Sequence, residues 1–284
     1  MPFGNDLLRV PNPMRRDVRG RVILITGASR GIGKRAAERL AKLGARVALT
    51  GRSAADLSQI VRELRTAGAE VESFPADLIL AADRERLVQQ VVAHFGGLDI
   101  LVNCAGVSSF GEFATSEETI NRKVMEINFF AAIELIRVCV PHLTASGMKG
   151  NQPAVLNVAS ICGRCGIPSL PEHCASKHAF VGLTESLRGE FVRYGIDVLL
   201  LLPGLVHSDD LNRHLLRNEG KIYLNFEGAQ PADEVADGLV RSLQGNRREA
   251  AIGFVAWWVW FGKRMFPRVV RFIMKRKALR FASR

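Results

Sequence analysis

Three glycines, Gly27, Gly31 and Gly33, follow an unbroken aliphatic run, Val22 to Ile25. Such a run suits a strand buried on both faces. Residues 34–43 then read as a helix with few β-branched residues. Glycine permits a tight turn and lets the backbone approach a ligand closely. The turn brings open N–H groups and the positive end of a helix dipole to an anion, and a diphosphate is the natural guest. Glycines reach this spacing by chance too; the strand before and the helix after give the pattern its weight.

Residues 46–50 read as a second buried strand, which completes a βαβ unit with an expected right-handed crossover. In such a unit an acidic residue ending the second strand binds a ribose 2′-hydroxyl. Here that place holds Gly51-Arg52-Ser53, and Arg30 lies inside the glycine loop. Two guanidinium groups and no carboxylate suit a 2′-phosphate. NADP(H) is therefore expected in preference to NAD(H).

The elements that must carry this site continue along the chain. Residues 54–67 and 81–95 read as helices, and 70–75 and 99–102 as the third and fourth strands. Asn103-Cys-Ala-Gly106 sits at the carboxyl end of the fourth, where open α/β sheets bind ligands. Residues 119–145 read as one long helix carrying Asn128, and 154–158 as a fifth strand leading to Ser160. Residues 172–194 form another long helix, and 196–202 a sixth strand that stops at Pro203-Gly204. No linker or repeat divides the chain. Residues 1–20 are an irregular lead-in, 21–250 one catalytic domain and 251–284 a basic, aromatic extension.

The chain has 284 residues, 48% hydrophobic and 24% charged, ordinary for an α/β protein with a full core. Its net charge of +11 is unevenly placed. Residues 263–284 hold nine Lys or Arg and no Asp or Glu, so the rest of the chain is close to neutral. Five cysteines in so long a chain do not make a disulfide framework. The first residues lack a signal-peptide pattern, and the apolar run 250–262 is too short for a membrane span. A cytoplasmic setting is expected.

Together, Thr26-Gly-Ala-Ser-Arg-Gly-Ile-Gly33, Asp77, Asn103-Cys-Ala-Gly106, Asn128, Ser160, Ala175-Ser-Lys177 and Pro203-Gly204 resemble the short-chain dehydrogenases/reductases, in that family's order and spacing. The resemblance covers roughly residues 21–243. It implies a Rossmann-like, doubly wound domain with a seven-stranded parallel sheet, an NAD(P) cofactor, and a homodimer or homotetramer packed through the two long helices. Arg52, the Lys177-His-Ala-Phe continuation and the basic tail look most like the hydroxysteroid-dehydrogenase-like, membrane-peripheral branch. Its substrates are lipophilic ketones or aldehydes and their alcohols.

The resemblance also assigns roles. Gly27, Ser29, Arg30, Gly31, Ile32 and Gly33 would cradle the cofactor's diphosphate, with Arg52 on its 2′-phosphate side. Asp77 with Leu78 would contact adenine, and Asn103, Ala105 and Gly106 would line the adenosine. Asn128 would hold a water, and Ser160 would hydrogen-bond the substrate carbonyl. Lys177 would bind the nicotinamide ribose and lower the proton donor's pKa. Pro203, Gly204, Val206 and Ser208 would flank the nicotinamide, Ser208 standing where a threonine usually holds the carboxamide.

One position departs from the family pattern. The proton donor there is a tyrosine four residues before the lysine; here it is His173, and its distance from Ser160 is the family's. Tyr194, one of two tyrosines, lies towards the far end of the same helix. Histidine titrates near neutrality and is chemically eligible. It is shorter than a phenol, and the Lys177 ammonium opposes the imidazolium needed to donate. Two expectations stand: an oxidoreductase with slow or altered chemistry, and a catalytically silent NADP-binding protein.

Cys162-Gly-Arg-Cys165 with His173 and Cys174 offers soft ligands at a spacing that could hold zinc. The resemblance already explains the segment as an active-site loop, and no metal is expected. In the tail, Trp257, Trp258 and Trp260 precede Pro267, which can open a helix mixing Val269, Val270, Phe272, Ile273 and Met274 with cations. Interfacial tryptophans, apolar residues and cations fit an anionic membrane surface, placing the protein on the inner face of a membrane. Packing of this helix on its own domain or on a second subunit is the alternative. Nucleic acid is not expected, because basic residues and stacking aromatics are not spread over the body. Between residues 204 and 229, Leu211, Leu215, Leu216 and Tyr223 would close over a lipophilic substrate.

Overall fold

The computed structural model describes residues 16–207, 215–217 and 229–282. Ser208, Leu211 and Tyr223 lie outside the described residues. The chain begins β1 (Val22–Thr26), α1 (Gly31–Lys42), β2 (Arg46–Thr50), α2 (Ala54–Thr66), β3 (Val71–Ser73), α3 (Ala81–Phe95) and β4 (Ile100–Asn103). It continues α4 (Glu118–Met125), α5 (Ala131–Met148), β5 (Ala154–Val158), α6 (Pro171–Glu190) and β6 (Asp197–Pro203). After a short parallel pair, β7 (Val206–His207) and β8 (Gln230–Pro231), come α7 (Ala232–Gln244), β9 (Glu249–Ile252), α8 (Phe254–Met265) and α9 (Pro267–Ala282).

Seven strands form one parallel sheet in the order β3-β2-β1-β4-β5-β6-β9. The pleat sends alternate residues to opposite faces. Ile23 and Ile25 pack with Leu40, Leu57 and Leu239, from α1, α2 and α7. Val22 and Leu24 pack with Leu87, Leu135 and Phe180, from α3, α5 and α6. Each fully buried Leu or Ile contributes about 1.5–3 kcal/mol, so a sheet covered on both faces is strongly held. The strand order reverses between β1 and β4, and a crevice opens at their carboxyl ends.

Several boundaries differ from the sequence reading. The third strand shortens to Val71–Ser73, and α1 starts at Gly31. The long helix expected at residues 119–145 is broken into α4, a π-helical turn (Glu126–Phe130) and α5. That turn carries Asn128, whose side chain is drawn inward to backbone partners; π turns are frequent at functional sites. The helix expected at 172–194 ends as α-helix at Glu190 and tightens to a 3₁₀ turn, Phe191–Tyr194. Gly195, at φ 65°, then leaves the helix in a left-handed conformation. β9, on the sheet's edge, was not located from sequence.

Arg16, in the lead-in, is only 2% exposed. Its guanidinium donates to Asp197 Oδ2 at 2.5 Å, Leu243 O at 2.7 Å and Gln152 O at 2.9 Å. At the other end, α8 docks through buried Ala256 and through Trp260, whose Nε1 donates to Glu249 Oε1 at 2.9 Å. Phe254, Trp257 and Trp258 on α8, and Val269, Phe272 and Ile273 on α9, stay exposed. No helix among the described residues is long and apolar enough to cross a membrane.

Candidate active site

Two of the three glycines in the loop, Gly27 and Gly33, have no room for a side chain. Gly27 has φ +65°, and a Cβ there would come within 2.8 Å of Ala105 Cα. A Cβ on Gly33 would overlap the carbonyl of Gly27. Arg30, at the N-terminus of α1, is extended and caps none of the helix's first N–H groups with its side chain, and the first turn holds no acidic residue. Those amides and the helix dipole suit a diphosphate. Ile32 packs on the core and fixes the helix start. Ser29 Oγ lies 3.6 Å from where a Cβ on Gly51 would stand, so the loop touches the end of β2, where Arg52 is exposed. The residues present fit a dinucleotide.

Thr26, at the last position of β1, is buried, and its hydroxyl accepts the N–H groups of Cys104 at 2.9 Å and Ala105 at 3.0 Å. It fixes the loop after β4 against the glycine turn. Sequence reasoning gave it no role, although a polar side chain ending a buried strand must find partners. Asn103, on β4, donates to Asn157 Oδ1 at 3.0 Å, while its own buried Oδ1 has no partner. Asp77 follows β3; its carboxylate accepts the N–H of Ile79 at 3.2 Å, and Ala76 N–H donates to Gly51 O at 3.1 Å. Leu78 packs on the second core face. Pro203 closes β6, Gly204 packs beside Ala256, and Val206 rests on the first core face.

Four expected chemical residues gather where β4, β5 and α6 meet. Asn128 Nδ2 donates to Val107 O at 2.9 Å and to Ser176 Oγ at 3.0 Å, and its Oδ1 accepts Val107 N–H at 2.8 Å. A Cβ on Gly106 would stand 3.2 Å from Asn128 Oδ1 and 3.6 Å from Lys177 Nζ, so only glycine leaves this corner open. Lys177 Nζ donates to Val158 O at 3.2 Å. Burial pulls this ammonium down to about 8, still charged at neutral pH. Ser160 follows β5, and its Oγ accepts Cys162 N–H at 3.1 Å. The Ser160 turn presses on α6: a Cβ on Gly163 would lie 2.7 Å from Lys177 O.

His173 opens the first turn of α6, half-buried, with Nδ1 at 3.2 Å from Val107 O. Burial and then the Lys177 charge pull its pKa down to about 4, against a smaller upward pull from the Val107 hydrogen bond. Next to it, buried Glu172 accepts from Ser116 Oγ at 2.5 Å and Ser109 Oγ at 2.9 Å. Sequence reasoning gave Glu172, Val107 and Ser176 no role in the site, although Ser176 stands within the Ala175-Ser-Lys177 motif. Cys174 Sγ accepts Ile167 N–H at 3.3 Å and a hydrogen bond from Cys162, which draws the Cys174 thiol down to about 7 and pushes Cys162 up. Among the described residues no three His, Cys, Asp or Glu side chains stand in a metal-ligating group.

Comparison with known proteins agrees with this architecture. The short chain dehydrogenase family matches residues 21–219. A hydroxysteroid 11-beta-dehydrogenase 1-like protein from Gallus gallus is 33% identical over 244 residues, covering 84% of this chain and 80% of that protein. A dehydrogenase/reductase SDR family member 7B from Bos taurus is 28% identical, covering 84% and 75%. Among solved structures, a short chain dehydrogenase/reductase from Burkholderia phymatum in complex with NAD superposes with a TM-score of 0.74 at 28% identity, over 83% of this chain and 89% of that one. A variant of actinorhodin polyketide ketoreductase with NADPH gives 0.72 at 26%, over 81% and 95%. A family match over most of the chain, a relative above 30% identity and the doubly wound sheet agree: the chain belongs to the short-chain dehydrogenase/reductase family of oxidoreductases.

Proposed function

We propose that this protein is an NADP(H)-dependent oxidoreductase that interconverts a lipophilic ketone or aldehyde and its alcohol at a membrane face. The observation that carries the reading is the meeting of Asn128, Ser160, His173 and Lys177 beside the glycine cradle. A bound nicotinamide would supply hydride chemistry. The chain's own residues hold and orient: the cradle and first turn of α1 take the diphosphate, and Arg30 and Arg52 favour a 2′-phosphate. Lys177 takes the nicotinamide ribose, Ser160 the reacting oxygen, and Asn128 keeps the loop after β4 in register. Most of the rate enhancement then comes from positioning.

The lipophilic substrate rests on the leucines of residues 205–217 and on the hydroxysteroid-dehydrogenase-like relative. The membrane face rests on the exposed aromatics of α8 and α9 beside a run of cations with no carboxylate. The cytoplasmic leaflet, with its anionic lipids, suits that charge. Association into a homodimer or homotetramer would use α5 and α6, and light scattering on the full chain reads it directly.

The second reading, a silent NADP-binding protein, draws on the low basicity of His173, which leaves little imidazolium to donate a proton at pH 7. One experiment separates the two: turnover in both directions with lipophilic ketones, aldehydes and alcohols, wild type beside His173→Tyr. Wild-type turnover supports the enzyme. NADPH binding with turnover only in the tyrosine variant supports the silent protein. No binding of either cofactor would sink both.

A further inference from the structure

We propose that Gln230, on β8, is a cofactor-binding residue whose side-chain amide pairs with the carboxamide of the nicotinamide. This deepens the oxidoreductase reading above and rests on it. Gln230 is only 8% exposed, and neither its Nε2 nor its Oε1 has a hydrogen-bond partner. Among the described residues the one other side chain with such an orphaned atom, Asn103, has its Nδ2 bonded. A buried amide with both ends unpaired costs stability in the cofactor-free fold and calls for a partner of matching chemistry.

The amide is held in place by shape. Gln230 N–H donates to Leu205 O at 2.9 Å and stands opposite Val206 in the short parallel pair, and Pro231 after it opens onto α7. β6 and β9 end at the paired residues Pro203 and Ile252, so Gly204 and Gly253 come next on two neighbouring strands. The Gln230 side chain lies against both. A Cβ on Gly253 would overlap Oε1, and one on Gly204 would stand 3.8 Å from Nε2. Gly253 also has φ +90°, a conformation that glycine adopts readily and other residues do not.

A second donor faces the same spot. The ladder of α8 begins with Trp257 N–H on Gly253 O at 3.0 Å; no side chain caps the amides before it, and the first turn has no acidic residue. One of those amides, Ala256 N, would also lie 3.8 Å from a Cβ on Gly204. An atom placed over Gly204 therefore sits at ordinary contact distance, with the nitrogens of Gln230 and Ala256 beside it. Two N–H donors and the positive end of a helix favour a carbonyl oxygen there.

The chemistry selects the ligand. Nε2 donates and Oε1 accepts, side by side in one plane, so the group that satisfies both ends is another carboxamide, carbonyl oxygen to Nε2 and N–H to Oε1. A carboxylate would bring no donor to Oε1, and a single hydroxyl would fit one end at a time. The cofactor of the proposed reaction carries a carboxamide on its nicotinamide. Gly204 and Val206, the neighbours of Gln230, are the residues expected to flank that ring. Away from water, each such bond is stronger than it would be at the surface.

The test compares the full-length wild type with Gln230→Met, which keeps the side chain's length and removes both polar ends. Calorimetry follows NADP⁺ and ADP-ribose 2′-phosphate, which lacks the nicotinamide. The variant should bind NADP⁺ about tenfold more weakly and ADP-ribose 2′-phosphate as well as wild type does. Its melting temperature without cofactor should be equal or higher, because no bond is lost. The acetylpyridine analogue of NADP⁺, which keeps the carbonyl but not the N–H, should bind wild type less tightly than NADP⁺, and the gap should narrow in the variant. Equal losses for both ligands, or an unchanged NADP⁺ affinity, would overturn the proposal alone. So would a cofactor-free melting temperature lowered by several degrees, which would show the amide already bonded within the fold. Should NAD⁺ bind in place of NADP⁺, ADP-ribose becomes the reference and the same outcomes decide. A wild type that binds neither dinucleotide would overturn the oxidoreductase reading, and this proposal with it.

Discussion

Asn128 Nδ2 and Ser176 Oγ stand 3.0 Å apart across 48 residues of sequence, and this bond fastens the π turn between α4 and α5 to α6. The same amide holds Val107 on both sides. Asn128→Ala would orphan the Val107 N–H and take one partner each from the Val107 carbonyl and the Ser176 hydroxyl. The expected cost is about 2–4 kcal/mol in urea unfolding, well above a surface substitution. Asn128→Asp would keep the Val107 N–H bond and lose both donations, so a smaller loss with turnover still depressed is expected.

The glycine loop separates two kinds of glycine. Gly33→Ala would drive a methyl into Gly27 O, with no flexible side chain to yield. Loss of NADP⁺ binding by at least 100-fold is expected in a fluorescence titration, along with a lowered melting temperature. Gly31 has φ +52° but open space around it, so Gly31→Ala should cost only the left-handed backbone strain, about 1–2 kcal/mol. Equal losses from the two would argue against a packed cradle.

Arg52 is exposed after β2, where no carboxylate stands. Arg52→Asp should weaken NADP⁺ binding about 10- to 100-fold and weaken NAD⁺ much less, read by calorimetry. Unfolding stability should barely change, since the side chain lies in solvent. Equal weakening of both cofactors would mean that Arg52 does not meet the 2′-phosphate.

The depressed His173 pKa makes a statement about stability. In the unfolded chain the ring titrates near 6.5, in the fold near 4, so the unfolded state binds the extra proton between those values. This contribution is whole above pH 6.5 and is lost as the pH falls towards 4. At most it is about 3 kcal/mol, less for a half-buried ring. Lys177, lowered to about 8, acts in the opposite range: its contribution falls away from pH 10.5 to 8 and is constant below. Urea melts at pH 7 and 5 should therefore converge in His173→Gln relative to wild type, and parallel shifts would contradict the assignment.

The tail offers a direct measurement. The full chain should pellet with anionic liposomes, and a chain ending at Gly262 should not. High salt should release the full chain, since the cations act over a Debye length of about 8–10 Å. Equal pelleting of both would show that α9 is not the docking element.

β1, the glycine loop and α1 were legible because each carries its reason locally: a strand covered on both faces, a turn that needs positive φ, a helix with few β-branched residues. Their place at the sheet's reversal followed from chain order. The π turn was not legible, because Asn128 is pulled inward by Val107, 21 residues away, and nothing in the residues around it forbids a plain helix; the one proline of residues 119–145, Pro141, lies further on, inside α5. β9 is four residues on the sheet's edge, half of them only partly buried, too weak a pattern to stand out. Arg16 was hidden for the opposite reason. One of several arginines in a proline-containing lead-in looks solvent-borne, and only the fold shows four acceptors, Asn246 Oδ1 the fourth, converging on it. Likewise His173 could be placed in the site by spacing, but the nitrogen bearing its proton depended on a carbonyl that sequence does not locate.

Arg16 also sets an order of events during synthesis. Its guanidinium meets Gln152 O, Asp197 and Leu243 O, which are 136, 181 and 227 residues further along. At about 5–20 residues per second, the last of them leaves the ribosome on the order of tens of seconds after Arg16 has emerged. Throughout that interval β1, β2 and β3 can pair while the segment before them stays solvated. The segment before β1 is thus seated only after the chain has been made as far as the end of α7.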